Sequence, residues 1–473
     1  MDTEPPLGRP GTAMPPLDRT DLHPSVDDPV LTSMTTLNDI AGRFPDAVSF
    51  AAGRPYEAFY DAESLPRWLR RFQRHLEQDQ HRTPAEINRA LFQYGRTKGF
   101  IHHLIARQLE QDEHITVDPE AVLVTTGCQE AMVLALRALR RGPQDVVLAA
   151  LPAYVGFLGA ARLVDLPVHG VREDADGIDP DDLVTRVRLL RARGLRPRAC
   201  YIVPDFANPS GATLPEERRR RLLEIADRED LLLLEDNPYA FFGADGDRRP
   251  TLKSLDRSRR VLHFGSFAKT AFAGSRVGYV VADQPMSDGT LLADELAKLK
   301  SMLTLNTSTV SQAVIGGYLL EHGCSLVRAT ERERAVYRRN LTAVLDGLEQ
   351  RFGDDPTVTW TTPRGGMFTV LTVPFTADEE TLEHSARAFG VLWTPMHHFY
   401  GGRGGHHQLR LSFSVLDPER IATGLDRLAA LVAERKEKLR TQGGAGSTPV
   451  RVRGALTRTP GIGALEETAR MTA

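Results

Sequence analysis

Short runs of almost wholly apolar residues, separated by amphipathic stretches, restrict this chain to few folds. Val122–Thr126, Val146–Ala150, Ala199–Val203, Leu231–Leu234, Val261–Phe264 and Val277–Ala282 are such runs. They are too short for typical helices and do not alternate polar with apolar, so they read as strands buried on both faces. Gly127 opens a helical pattern, QEAMVLALRALRR. Pro215–Arg228 reads as an amphipathic helix, with Leu222, Leu223, Ile225 and Ala226 inward and the run Arg218–Arg221 on its solvated face. Strands and helices in this order predict an α/β fold, a mostly parallel sheet covered by helices on both sides. Ligands of such sheets bind beyond the strand ends. With 473 residues, 41% of them hydrophobic, the chain can bury a large core.

Other features narrow the function. A net charge of −3 gives no electrostatic case for nucleic acid or an anionic membrane. Cys128, Cys200 and Cys324 lie far apart, which argues against a disulfide framework or zinc site and for a reducing cytoplasm. No apolar run approaches ~20 residues, and no basic-then-apolar leader opens the chain. Three histidine pairs, His102-His103, His397-His398 and His406-His407, could suggest metal. Neighbours on a strand or helix point apart, so no metal site is expected.

The chemistry concentrates just past the strand ends. Lys269 follows the run VLHF in Gly265-Ser266-Phe267-Ala268-Lys269-Thr270, and Arg276 stands seven residues on. A lysine held there could carry a carbonyl cofactor, with Ser266 and Arg276 gripping its phosphate. After Leu231–Leu234 come Glu235-Asp236-Asn237-Pro238-Tyr239. A carboxylate in this place could pair with a protonated pyridine nitrogen. Asp236 is the better candidate, because Glu235 alternates to the other face. Asn208, in PDFANPSG, and Tyr239 could hydrogen-bond a phenolic ring oxygen. Gly127, Cys128 and Gln129 begin a helix, where free N–H groups suit a phosphate. Tyr154, after the next strand, could stack on a ring.

The ordered set PDFANPSG, EDNPYAFF, GSFAKTAFAGSRVGY and LRLSFS resembles the class I/II, fold type I, aminotransferases over roughly residues 25–435. That resemblance implies pyridoxal 5′-phosphate as cofactor. It implies a large domain with a mostly parallel seven-stranded sheet and a smaller α+β domain. By resemblance Lys269 is the Schiff-base lysine and proton shuttle. Asp236 pairs with the ring nitrogen, Asn208 and Tyr239 meet the ring oxygen, and Tyr154 stacks. Gly127, Cys128, Gln129, Ser266 and Arg276 hold the phosphate, and Tyr94 reaches it from the other subunit of a homodimer. Arg410 clamps the substrate carboxylate, Gly53 belongs to the loop covering the substrate, and His398 contacts the substrate with Asn208. Long stretches such as GVLWTPMHHFY and LLADELAKLKSMLTLNTSTVSQA are similar to the (S)-3,5-dihydroxyphenylglycine and hydroxyphenylglycine transaminases of antibiotic pathways. They imply an aryl 2-oxo acid acceptor.

The implied organisation is a flexible arm at 1–29, the first part of the small domain and a dimer arm at 30–90, and a large cofactor domain at 91–325. The rest of the small domain is expected at 326–437 and a disordered tail at 438–473. Ala268, Ala273, Phe206 and Cys128 depart from the usual pattern, and Ala268, Phe206 and Cys128 are expected to flank the cofactor. They leave open an oxidase, hydroxylase or decarboxylase on the same fold. A DNA-binding regulator would need a winged helix for which residues 1–29 are too short and proline-rich.

Overall fold

The computed structural model describes residues 16–443, apart from 245 and 247. Its large sheet contains β1 (Val122–Thr125), β2 (Asp145–Leu151), β3 (Val168–Asp174), β4 (Gly177–Ile178), β5 (Arg196–Ile202), β6 (Leu232–Asp236), β7 (Val261–Ser266) and β8 (Gly278–Val281). The spatial order is β1-β8-β7-β6-β5-β2-β3-β4. The central strands are parallel, whereas β8 runs antiparallel to both β1 and β7. The sheet has eight strands where seven were expected, because β4 is a two-residue return along the edge of β3. Burial on both faces accounts for the apolar runs. In β2, Val147 and Ala149 enter the core beneath the helices Gly127–Leu139 and Val155–Leu163, while Val146 and Leu148 enter the core beneath Pro180–Ala192 and Glu216–Arg228.

A second, antiparallel sheet contains β9 (Thr359–Trp360), β10 (Phe368–Thr372), β11 (Thr394–Pro395) and β12 (Gln408–Ser412), in the order β9-β10-β12-β11. Leu37 and Ile40 of the helix Pro29–Arg43 join its core, and Val48–Ser49 pairs in parallel with Val391–Leu392. The helices of residues 64–92 go elsewhere. Phe72, Leu76 and Ile87 share a core with Ile101, Ile315 and Leu319 of the large unit. Gly317 permits this close approach, since a Cβ there would lie 1.8 Å from the Trp68 carbonyl oxygen.

Two further expectations need correction. The helix Pro418–Gly443 runs past residue 437, so 438–443 are ordered; the sequence AERKEKLR is made of strong helix formers, and Glu434 and Lys438 pair one turn apart. The remainder of the expected tail, 444–473, and residues 1–15 of the arm lie outside the described residues. Within the run Arg218–Arg221, Arg219 is fully buried rather than solvated. It donates to both carboxylate oxygens of Asp205 (2.5 and 3.1 Å) and to the carbonyls of Pro204, Leu214 and Pro250. A bidentate fork saturated in this way is how a guanidinium survives burial. It ties the helix Glu216–Arg228 to the loop that carries Asn208. Arg219→Ala would leave Asp205 buried and unpaired, with an expected loss of about 3–5 kcal/mol. Thermal unfolding should show a Tm lowered by several degrees; an unchanged Tm would refute the role.

Candidate active site

The strand ends of the large sheet and the edge of the small sheet enclose a cavity of about 630 Å³. Asp236 ends β6, Ser266 ends β7, and Asn208 follows β5. Cys128 and Gln129 come from the N-terminus of Gly127–Leu139. The small unit contributes Phe368, Thr394, Phe399 and Arg410, and the extended segment Ala51–Arg54 crosses the opening between the units.

Asp236 is buried and accepts hydrogen bonds from the Tyr201 hydroxyl (2.6 Å) and, more weakly, the Cys128 thiol (3.7 Å). Burial raises its carboxyl to about 6, against the lowering effect of those two donors. Glu235 lies on the opposite face. Burial alone would raise its carboxyl, but the His263 imidazole (2.9 Å) and the N–H groups of Leu252 and Lys253 outweigh that and hold it low.

The Lys269 amine donates to the Gly53 carbonyl (2.6 Å). Burial, with the nearby Arg410 and Arg276 charges, lowers it to about 8, where a free amine base is accessible. Arg410 is buried too. It donates to Asn208 Oδ1 (2.6 Å), the Ala51 carbonyl (2.9 Å) and Thr394 Oγ1 (3.2 Å), and stacks over Phe368 at 4.3 Å. Burial lowers it to about 10, and its Nε has no partner. The Asn208 amide donates to the Tyr239 hydroxyl across a long 3.5 Å.

The residues present fit pyridoxal 5′-phosphate, the cofactor implied by resemblance. Gly127 has φ +73, a conformation that side chains rarely adopt, and its helix N-terminus closely approaches the Arg276 guanidinium, since a Cβ built there would lie 2.5 Å from one of its nitrogens. Helix N–H groups, the Ser266 hydroxyl and a guanidinium make an anion-binding set. At the other end, Asp236 is a buried carboxylate that lacks a cationic partner among the described residues, as a ring nitrogen requires.

Lys269, Asp236, Asn208, Tyr239, Tyr154, Ser266, Arg276, Cys128, Gln129, Gly53 and Arg410 all line this one cavity. Tyr94 does not; it is 83% exposed. Neither does His398, whose Nε2 faces Glu379 at 2.7 Å. Of the departures, Cys128, Ala268 and Ala273 line the cavity, but Phe206 turns into the core beside Gly365 and Gly366. Its expected place next to the cofactor is therefore corrected. Sequence reasoning missed Tyr201, which lay unaddressed inside the strand ACYIV, and Lys300. The latter donates to Glu130 (2.7 Å), whose carboxylate accepts from the Thr126 N–H (2.6 Å) and so braces the loop before Gly127.

A family model for aminotransferase class I and II matches residues 46–428. An (S)-3,5-dihydroxyphenylglycine transaminase of Amycolatopsis orientalis is 52% identical over 88% of this chain and 94% of its own length. Aromatic-amino-acid aminotransferase 1 of Thermococcus litoralis is 30% identical over 73% of this chain and 81% of its own. The crystal structure of LysN, an α-aminoadipate aminotransferase of Thermus thermophilus complexed with N-(5′-phosphopyridoxyl)-L-leucine, superposes with a TM-score of 0.74 at 28% identity, over 89% of this chain and all of that one.

The shifted carboxyl of Asp236 generates a pH prediction. In the cofactor-free protein Asp236 is ionised above about pH 6 and takes up a proton below it. If Asp236 is the partner of the ring nitrogen, as the resemblance implies, loss of its carboxylate weakens cofactor affinity as pH falls through about 6. Asp236→Asn should bind weakly at every pH and lack that inflection. Equilibrium dialysis read by cofactor absorbance checks this; a wild-type inflection that survives in Asp236→Asn would assign it to another group.

Proposed function

The chain belongs to the aminotransferase class I and II family, and from that premise we propose that it aminates an aryl 2-oxo acid of the hydroxyphenylglyoxylate type to an arylglycine. The similarity to the dihydroxyphenylglycine transaminase, which covers nearly the whole of that protein, carries this reading. Pyridoxal phosphate, when bound, supplies an electron-withdrawing ring that stabilises negative charge at the substrate Cα. The protein's own residues do the rest. Asp236, as carboxylate, holds the proton of the ring nitrogen. Lys269, with an amine lowered to about 8, takes the proton from Cα and later returns one. Arg410 grips the α-carboxylate, and its fixed direction presets the Cα–H bond for transfer. Gly127, Cys128, Gln129, Ser266 and Arg276 hold the phosphate, Asn208 and Tyr239 the ring oxygen, and Tyr154 the ring face.

Besides the groups assigned above, the cavity is lined by the apolar Leu37, Met132, Val155 and Phe399 and by the polar Asn38. Apolar lining beside a polar group suits an aryl ring bearing hydroxyls. His398, engaged with Glu379, is no longer assigned to substrate. The protein acts as a homodimer in a reducing cytoplasm. Support comes from the exposed Phe92, Tyr94, Met302 and Leu303, an apolar set on segments that meet where Gly95 approaches Asn306 and Thr309, and from three free cysteines. In this dimer Tyr94 serves the partner's phosphate. The small domain takes its residues from both ends of the chain.

Three outcomes are expected. Purified protein should show a visible band of lysine-bound cofactor that borohydride shifts, and Lys269→Ala should lack it; a normal band in the variant would refute the role of Lys269. With a common amino donor, kcat/KM for 3,5-dihydroxyphenylglyoxylate should exceed that for phenylpyruvate or 2-oxoglutarate by about tenfold or more. Equal values would leave only the general aminotransferase activity. Arg410→Ala should weaken all these acids by a similar factor, and selective loss of one would show that the arginine does not bind their shared carboxylate.

A further inference from the structure

His397 and His398 do not point apart, as neighbours in a strand or helix would. They sit in the 3-10 turn Met396–Tyr400, which brings their rings to 4.1 Å between centroids. Both Nε2 atoms converge on one carboxylate oxygen, Glu379 Oε1, at 3.2 Å from His397 and 2.7 Å from His398. Glu379 stands at the start of the helix Glu379–His384. The three donor atoms all lie within 4.8 Å of one another. A tetrahedral ion with bonds of ~2.0 Å has donor-to-donor edges of about 3.3 Å. The two histidine-to-glutamate spacings therefore need to open by only a few tenths of an ångström to admit an ion. The side chains are half-buried to nearly buried, with 9% of His398, 16% of His397 and 36% of Glu379 exposed. His406 stacks on His397 at 5.5 Å and 14°, which fixes the plane of that ring.

We propose that Glu379, His397 and His398 form a divalent transition-metal site, suited to Zn²⁺ and separate from the cofactor cavity. Two imidazoles and one carboxylate are a donor set that zinc accepts, with the fourth position left to water. The site has a mechanical connection to the active site. The same turn carries Phe399, whose carbonyl accepts from the Ala153 N–H (2.8 Å), next to Tyr154. The Phe399 ring lines the cavity and lies 5.1 Å from the Arg410 guanidinium. An ion bound to the turn and to Glu379 braces this wall.

The test uses the full-length, cofactor-loaded protein without a histidine tag, stripped with a chelator. Zn²⁺ is titrated in competition with a chromophoric chelator, and Co²⁺ serves as a visible probe. The expected result is one equivalent per chain, a Co²⁺ spectrum of tetrahedral type, and a Tm raised by Zn²⁺ because the ion binds only the folded state. Glu379→Gln and His398→Gln should each abolish the equivalent and the Tm rise while keeping the cofactor absorbance. Should one of them fail to fold, His397→Gln gives the same reading from the more exposed ligand. Wild type that binds Zn²⁺ no more tightly than these variants would overturn the proposal, as would a Co²⁺ spectrum that the substitutions leave unchanged.

Discussion

Asp236 ends a central strand with its carboxylate buried, accepting from Tyr201 and facing the thiol of Cys128. Burying a carboxylate is costly unless it is paired. Two neutral donors do not offset that cost, and the carboxyl drifts up to about 6. A cation bound in front of it would restore the balance. Binding a positively charged ring there and stabilising the end of β6 would therefore be the same electrostatic event. Glu235, one residue earlier, shows the contrast: His263 and two backbone N–H groups satisfy it fully, so it has nothing left to offer a ligand.

The second constraint is the seam between the units. Arg410 rises from the small sheet, yet its donors go to Asn208 of the large unit and to Ala51 and Thr394. The helix Glu331–Phe352 crosses the same seam. Its Val336 and Tyr337 pack in the core beneath the large unit, and its Leu341, Val344 and Leu348 pack in the small one. Lys269 adds a third tie through the Gly53 carbonyl. The groups that would meet substrate are thus the ones that hold the two units in register.

Much of the site was legible because its residues sit where strand becomes loop. There, a short apolar run followed by Asp236, Ser266 or Asn208 marks both an element end and a ligand edge. Arg219 was not legible, since a run of arginines on an amphipathic helix reads as solvated until a buried partner such as Asp205 appears from another loop. His398 misled for a related reason. Its segment resembles a pocket wall, but the backbone of the turn delivers Phe399 to the cavity and points the imidazole at Glu379 instead.

The sequence by itself determined the α/β alternation, the lysine after β7, the acidic end of β6 and the glycine opening the helix Gly127–Leu139. Each depends on residue type and spacing within one short segment, where period and chirality act directly. Only the tertiary structure decided which charges are paired, which histidines converge and which unit residues 64–92 join. Those outcomes depend on contacts between segments tens to hundreds of residues apart, such as Arg410 with Asn208 or Glu379 with His398. Their energy comes from desolvation and geometry, neither of which is written in local order.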